Sequence, residues 1–450
     1  MNYETPPWYP TGIPPAPDNA TPPGPHLKER IRRKRLLRMF GRLGPGIITG
    51  ASDDDPSGIA TYSQMGAQFG FGMLWTALFS FPLMVSIQRI AARIGCVTGH
   101  GIAGNLRMHA PAWLLRGAVG LLVIANVLNL GADLGAMGAA LELITGAPVL
   151  PSIVAMGLLS LVLEIFLPYS QYVNILKWLT LALFAYVAVI FAVQIPWGEA
   201  LLATITPSFS FSREYITGFV AIMGTTISPY LFFWQASGEV EEKERHNNPA
   251  LKGGSRMGTG ELLRIDVDTV IGMGFSNLIM FFIILTAAVT LHVHGLTDIT
   301  TAADAAKALE PIAGPFAKLC FAIGIIGTGL LAVPVLSGSA AYAVGEAMQW
   351  QVGLERKPHE AKGFYGVMTA AVLLGLALNF FHVDPIRALF WCAVINGVLA
   401  VPLMVVLMVL ACDKKVMGRY VLPLPMRLAG WLTTGVMLAA AVLMAVTSFL

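Results

Sequence analysis

Eleven apolar stretches of about 20 residues recur along the chain, separated by short polar segments. They lie at roughly 44–70, 72–92, 115–141, 150–168, 173–195, 214–237, 270–292, 316–345, 364–381, 386–410 and 428–449. Each is about as long as an α-helix must be to cross the hydrocarbon of a bilayer. The short alternating segments of a membrane barrel are not seen. The pattern therefore predicts an all-α polytopic membrane protein, with the lipid bilayer as its main solvent and partner.

Two spans are interrupted by polar residues and proline. The first carries "TGASDDDPSGIAT", with Asp55-Pro56-Ser57-Gly58 at its centre. The sixth carries "GTTISPYLFFWQASG", with Ser228-Pro229. Irregular backbone at membrane depth survives only where protein buries it or it lines a cavity. Five spans plus five, with the first helix of each half broken, is the layout of inverted-repeat secondary transporters, whose broken helices line the substrate site. The expected domains are a first repeat over 44–195, a second over 214–410, and an eleventh span over 428–450. Residues 1–43 form a Pro-rich tail, expected to be disordered, and a basic juxtamembrane helix.

Charge orients this plan. Of the 29 Lys and Arg residues, all but Arg213, Lys307, Lys318 and Arg387 fall on one side of the predicted topology. By the positive-inside rule that side is cytosolic. The N-terminus is then cytoplasmic, the C-terminus outside, and the location the inner (plasma) membrane. The segment "KERIRRKRLLR" reads as a helix that touches anionic lipid, and no cleavable apolar leader precedes it. Residues 239–268 read as a cytosolic loop. Residues 293–315 read as an external one, with a short helix in "TTAADAAKAL".

Composition adds exclusions. Hydrophobic residues make up 56% of the chain and charged residues 12%, against roughly 25% charged in soluble domains. A net charge of +3 gives nucleic acid no footprint. Cys96, Cys320, Cys392 and Cys412 are scattered and form no CxxC, so neither a disulfide framework nor a zinc site is expected. No nucleophile–base pair, nucleotide loop or HExxH motif points to an enzyme. No cofactor and no soluble partner is implied.

The acids of the first span point to the chemistry. A carboxylate at mid-membrane costs about 2.5–3.5 kcal/mol, and a bound cation is its most direct partner. A break at Pro56 also frees backbone carbonyls, which are good ligands for hard cations. Asp55, beside the proline, is the best candidate ligand, with Asp54 next. Asp53 and Asp54 have a second reading, as groups that cap or solvate the half-helix end or pair with a cytosolic Arg. In the third span Asn126, Asn129 and Asp133 share a helix face; Asp133 is a proton relay, a supporting acid or a packing group. Asn396, six residues before Pro402, either reaches the site or packs helices. Glu142 and Glu164 read as interfacial.

"GPGIITGASDDDPSGIATYSQ", followed five spans later by "GTTISPY", resembles the NRAMP family of divalent-metal transporters over spans one to ten. The resemblance implies a LeuT-type fold, alternating access, and a divalent-cation site between the two breaks. On this chain the candidate metal-facing set is Asp55, Ser52, Asp54, Gly58, Thr225, Ser228 and Asn396. The chain departs from the family at Gly58, where the usual Asp-Pro-Gly-Asn motif has its Asn. It departs again in Thr225-Thr226-Ile227-Ser228-Pro229-Tyr230, which stands for Ala-x-x-Met-Pro-His. Ser228 thus replaces a metal-binding Met, Tyr230 a His, and Gln235 lies near a second family His.

A thioether favours softer ions, and a hydroxyl in its place removes that bias. Fewer protein ligands and a roomier cavity suit Mg²⁺, which dehydrates reluctantly. The pattern resembles the NRAMP-related magnesium transporter branch. The expected function is alternating-access transport of Mg²⁺, and also Mn²⁺, without proton coupling, since neither Tyr230 nor Gln235 titrates near neutral pH. Asp133 is the residue that could defeat this reading. The alternatives are a proton-coupled Mn²⁺/Fe²⁺ transporter and an amino-acid transporter on the same fold. Asp55 would repel an amino acid's carboxylate, and a sensor would require a large soluble output domain.

Overall fold

The computed structural model describes residues 45–167, 183–246, 259–381 and 384–449. The tail and basic helix expected over 1–43, and the first part of the fifth span, lie outside these residues. All regular structure among them is helical.

The first span is two helices, α1 (Pro45–Asp53) and α2 (Pro56–Phe69), parted at Asp54 and Asp55. Next come α3 (Trp75–Thr98), a short α4 (Ile102–His109), α5 (Ala112–Thr145), α6 (Val149–Phe166), α7 (Phe184–Val189) and α8 (Trp197–Ile205). The sixth span is also two helices, α9 (Arg213–Thr226) and α10 (Pro229–His246). The chain continues through α11 (Thr259–Thr290), α12 (Ala317–Met348), α13 (Lys362–Leu378), α14 (Pro385–Cys412) and α15 (Leu424–Phe449). Among the described residues nine helical segments are long and apolar enough to cross a membrane. They correspond to the expected spans except the first, whose halves are each too short, and the fifth.

Both breaks follow from proline. A helical carbonyl bonds the N–H four residues on, and Pro56 and Pro229 have none to offer the carbonyls of Ser52 and Thr225. Each proline instead opens the next helix, where a missing N–H costs nothing.

The broken spans sit inside the bundle. The most apolar 18 residues of the sixth span are 89% buried, whereas those of the eleventh are 28% buried. Helix α5 packs against α6, α12, α13 and α14; α11 packs against α1 and α2; α9 packs against α14. Glycine permits the tightest of these approaches. A Cβ on Gly50 would lie 2.2 Å from the Gly272 carbonyl oxygen, and one on Gly224 would lie 2.0 Å from that of Ala393. Backbones so close place α1 and α9, the halves preceding the breaks, directly against their neighbours.

Two expectations need correction. The segment 239–268 is not a plain loop, because α10 continues to His246 and α11 begins at Thr259. Hydropathy marks where the apolar part of a helix ends, but polar residues extend it. Arg264 of α11 pairs with Glu239 of α10 at 3.2 Å, and Arg89 of α3 with Asp266 at 2.6 Å. Glu164, expected at an interface, is buried and accepts a hydrogen bond from Ser337 of α12 at 3.0 Å. The short helix in the loop after the seventh span forms at Ala302–Ala306, with Thr301 and Asp304 as a capping box.

Candidate cation site

Asp55 lies in the gap between α1 and α2 and is 1% exposed. Its backbone is extended (φ −70°, ψ 170°), the geometry of an N-cap. Carboxylate Oδ1 accepts from the Gly58 N–H at 2.8 Å and from Ser57 Oγ at 2.7 Å. Oδ2 accepts from Asn129 Nδ2 of α5 at 3.1 Å and from Tyr230 Oη of α10 at 3.2 Å. Tyr230 Oη also lies 3.1 Å from the Ser52 carbonyl, which Pro56 leaves without its helical donor. Both breaks, joined by the third span, thus meet at one carboxylate.

The other candidates are distributed around it. Ser52 contributes its carbonyl, since its hydroxyl donates to Ile48 O at 2.9 Å. Thr225 Oγ1 is 3.5 Å from Ser57 Oγ. Asn396 of α14 donates to Asn129 Oδ1 at 3.4 Å and so reaches Asp55 through it. Gly58 leaves less room than expected: a Cβ there would meet Thr225 Oγ1 at 3.2 Å and Tyr62 Cε2 at 3.3 Å. The Thr225 and Tyr62 side chains close in on the position.

Several groups turn elsewhere. Asp54 and Asp53 face α11, where Ser276 Oγ lies 3.1 Å from Asp54 Oδ1 and 2.5 Å from Asp53 Oδ2. The helix cap is therefore Asp55 and not either of these two. Ser228 Oγ donates back to the carbonyls of Gly224 and Thr225, at 2.7 and 2.9 Å, patching the break that Pro229 makes. Gln235 accepts from Thr49 and donates to Glu239, and these bonds turn it away from the hydrogen-bond set of Asp55. Asp133, four residues along α5 from Asn129, is fully buried, and neither of its carboxylate oxygens has a partner among the described residues.

Asn129 was visible in the sequence only as one of three polar residues sharing a helix face. Those three have separate fates. Asn126 ties α5 to α12 through the Leu336 carbonyl at 2.8 Å, Asn129 serves Asp55, and Asp133 stands alone.

Among the described residues no Lys or Arg pairs with Asp53, Asp54, Asp55 or Asp133. No group of three or more His, Cys, Asp or Glu side chains is arranged to hold a metal there either. The oxygens around Asp55 are neutral: a carbonyl, hydroxyls and amides. Beside the second turn of α2 a cavity of about 180 Å³ is lined by Ala60, Gln64, Gln68, Asp298 and Arg387, among others. Ala60 is five residues beyond Asp55.

Residues 46–447 match the family model described as natural resistance-associated macrophage protein-like, Nramp. The chain is 26% identical over 406 residues to the divalent metal cation transporter MntH of Verminephrobacter eiseniae, covering 88% of this chain and 86% of that one. It is 25% identical over 423 residues to MntH of Klebsiella pneumoniae, covering 91% and 94%. Among solved structures it resembles the Eremococcus coleocola manganese transporter bound to an aromatic bis-isothiourea compound. The TM-score is 0.72 at 16% identity, over 94% of this chain and 87% of that one. A nucleobase-cation-symport-1 family transporter in a closed conformation gives a TM-score of 0.55 at 14% identity, over 90% and 93%. These likenesses give the fold, that of Nramp and LeuT-type transporters, and the family match spans nearly the whole chain: the protein belongs to the Nramp family.

Proposed function

We propose that this chain is a secondary membrane transporter of divalent cations, Mg²⁺ foremost and Mn²⁺ as well, working by alternating access between the two sides of a plasma membrane. One observation carries the reading. Asp55 is buried where two broken helices meet, ringed by neutral oxygens and without a basic partner among the described residues. A carboxylate in that setting has a divalent ion as its natural counter-charge. The proposed metal-facing set is Asp55, the Ser52 carbonyl, Thr225 and Asn396, with Gly58 and Ser228 shaping the space and Asp54 alongside. The relatives' names, divalent metal cation transporter and manganese transporter, support the substrate class.

Selectivity follows from the donor set. Oxygen donors and a serine at 228 give soft ions no advantage. Mg²⁺ keeps several of its waters, so one firm carboxylate and neutral oxygens suffice for it. The N-terminus is assigned to the cytoplasm from the Lys/Arg asymmetry. The cavity by Ala60 then lies on the outer side of the first break.

Transport is proposed to be uncoupled from protons. A divalent ion gains about 4.6 kcal/mol from a potential of about 100 mV, at about 2.3 kcal/mol per charge. That is ample for accumulation. Asp133, buried and without a partner among the described residues, favours the alternative of proton-coupled Mn²⁺/Fe²⁺ transport. Uptake of Mg²⁺, Mn²⁺ and Ca²⁺ into proteoliposomes, compared side by side, tests the substrate. Uptake of Mn²⁺ unaffected by a large excess of Mg²⁺ would refute the Mg²⁺ reading.

A further inference from the structure

The two oxygens of Asp55 are not equivalent. Oδ1 holds the Gly58 N–H at 2.8 Å, a backbone donor that fixes the start of α2. A backbone N–H has no lone pair to turn toward a cation, so that oxygen belongs to the helix cap. Ser57 Oγ also donates to Oδ1, at 2.7 Å, but the Gly58 N–H keeps that oxygen in the cap. Oδ2 carries no backbone donor among the described residues. Tyr230 offers a hydroxyl, and Asn129 a side-chain amide. Each carries an oxygen that a single bond rotation exposes. Oδ2 is therefore the face at which donors can give way to an ion.

We propose that Asn129 is itself a cation ligand, turned to the ion by a flip of its amide that Asn396 accompanies. The inference rests on the divalent-cation reading of Asp55. In the structure Asn129 Nδ2 donates to Asp55 Oδ2 while its Oδ1 accepts from Asn396 Nδ2 at 3.4 Å. A half-turn about the last torsion exchanges the two ends of the amide. Asn129 Oδ1 then faces Asp55 Oδ2, an arrangement that repels when empty and attracts when a cation lies between. The NH₂ of Asn129 swings toward Asn396, which must flip in turn to accept from it.

Asn396 is suited to this because an amide can donate or accept. A carboxylate or an amine in its place would lock Asn129 in one orientation. Both residues are buried, Asn129 at 0% and Asn396 at 2% exposure, where an unmatched amide is disfavoured. Paired amides keep the chain of hydrogen bonds whole in both states. Gly58 has no side chain to offer an oxygen from the first span. Asn129 supplies one from α5, at the same carboxylate oxygen that Tyr230 shares with the Ser52 carbonyl.

The test is Mn²⁺ binding by titration calorimetry on the purified protein, with Mn²⁺ uptake into proteoliposomes, for the native chain, Asn129→Ala, Asn129→Asp, Asn396→Ala and Asp55→Ala. Asn129→Ala should raise Kd and KM about tenfold, at the low end for loss of a metal-site partner. Asn129→Asp has no N–H to give Asp55 but keeps an oxygen, and it should bind Mn²⁺ several-fold more tightly than the native chain. Asn396→Ala should weaken binding a few-fold. If Asn129→Asp binds as poorly as Asn129→Ala, Asn129 is only a donor that positions Asp55, and the proposal fails. It fails also if Asn129→Ala binds like the native protein. If Asn129→Ala does not fold, judged by size-exclusion profile, Asn129→Asp against native decides alone. Asp55→Ala separates the layers: native-like Mn²⁺ binding by that variant overturns the site itself, whatever Asn129 does.

Discussion

Tyr230 donates its phenolic O–H toward the carbonyl of Ser52 across 3.1 Å, closing on the oxygen that Pro56 leaves without a helical partner. The same hydroxyl is 3.2 Å from Asp55 Oδ2. One proton thus lies between two acceptors that a cation would also bridge, so the hydroxyl and the ion compete for them. Tyr230→Phe removes the competitor and should lower the KM for Mn²⁺ a few-fold in proteoliposome uptake. It should also lower stability by about 1–3 kcal/mol, the cost of a buried carbonyl left unsatisfied. A raised KM would instead make Tyr230 a ligand.

Asp55 has a structural role and a proposed transport role, and substitution can separate them. Asn is as good an N-cap as Asp, whereas Ala costs about 0.5–2 kcal/mol. Asp55→Asn should therefore melt close to native in detergent yet retain little uptake. Asp55→Ala should melt lower and transport nothing. Substantial uptake by either variant would move the site, with Asp54 the next residue to change.

Ser228 is the position to test for selectivity. A methionine there brings a soft thioether to the second break. Ser228→Met should raise uptake of Cd²⁺ relative to Mg²⁺ and reduce the ability of Mg²⁺ to compete with Mn²⁺. Native protein should transport Ca²⁺ less well than Mg²⁺, since Ca²⁺ takes more ligands than the site provides. Unchanged competition curves in the variant would show that position 228 does not set the preference.

Coupling can be read directly. A pH-sensitive dye trapped in proteoliposomes should record no metal-dependent acidification of the lumen by native protein while the potential is clamped. Acidification that appears with the native chain and vanishes in Asp133→Asn would establish Asp133 as a proton carrier and refute uncoupled transport.

The helix halves depend on backbone contact. Gly50→Ala would place a methyl 2.2 Å from the Gly272 carbonyl oxygen, and Gly224→Ala one 2.0 Å from that of Ala393. Neither backbone can yield without moving a helix. Each variant should lose about 1–3 kcal/mol or more, as overpacking of this kind does, and show a lower melting temperature or poor yield of monodisperse protein. Gly435→Ala, which meets nothing within 4 Å, is the control and should behave as native.

Nine of the spans, the two breaks and the place of Asp55 at the first break were legible in the sequence because each depends on local chemistry. Twenty apolar residues make a spanning helix wherever they occur. Proline lacks an N–H whatever surrounds it, so Pro56 and Pro229 mark the breaks and Ser52 the freed carbonyl. What Asp53, Asp54 and Asp55 each do was not legible. Consecutive residues around a broken helix point in different directions, and only packing decides that two turn to Ser276 of α11 and one to Asn129 of α5. The same holds for Asn126, Asn129 and Asp133, whose shared face meets three different surroundings. Ser228 could have offered its hydroxyl to the cavity; the nearer carbonyls of Gly224 and Thr225 took it. Gln235 follows Tyr230 closely in sequence, yet its contacts are Thr49 and Glu239. Residue types fixed what chemistry was available, and the approach of α5, α11 and α14 to the breaks decided which side chains take part in it.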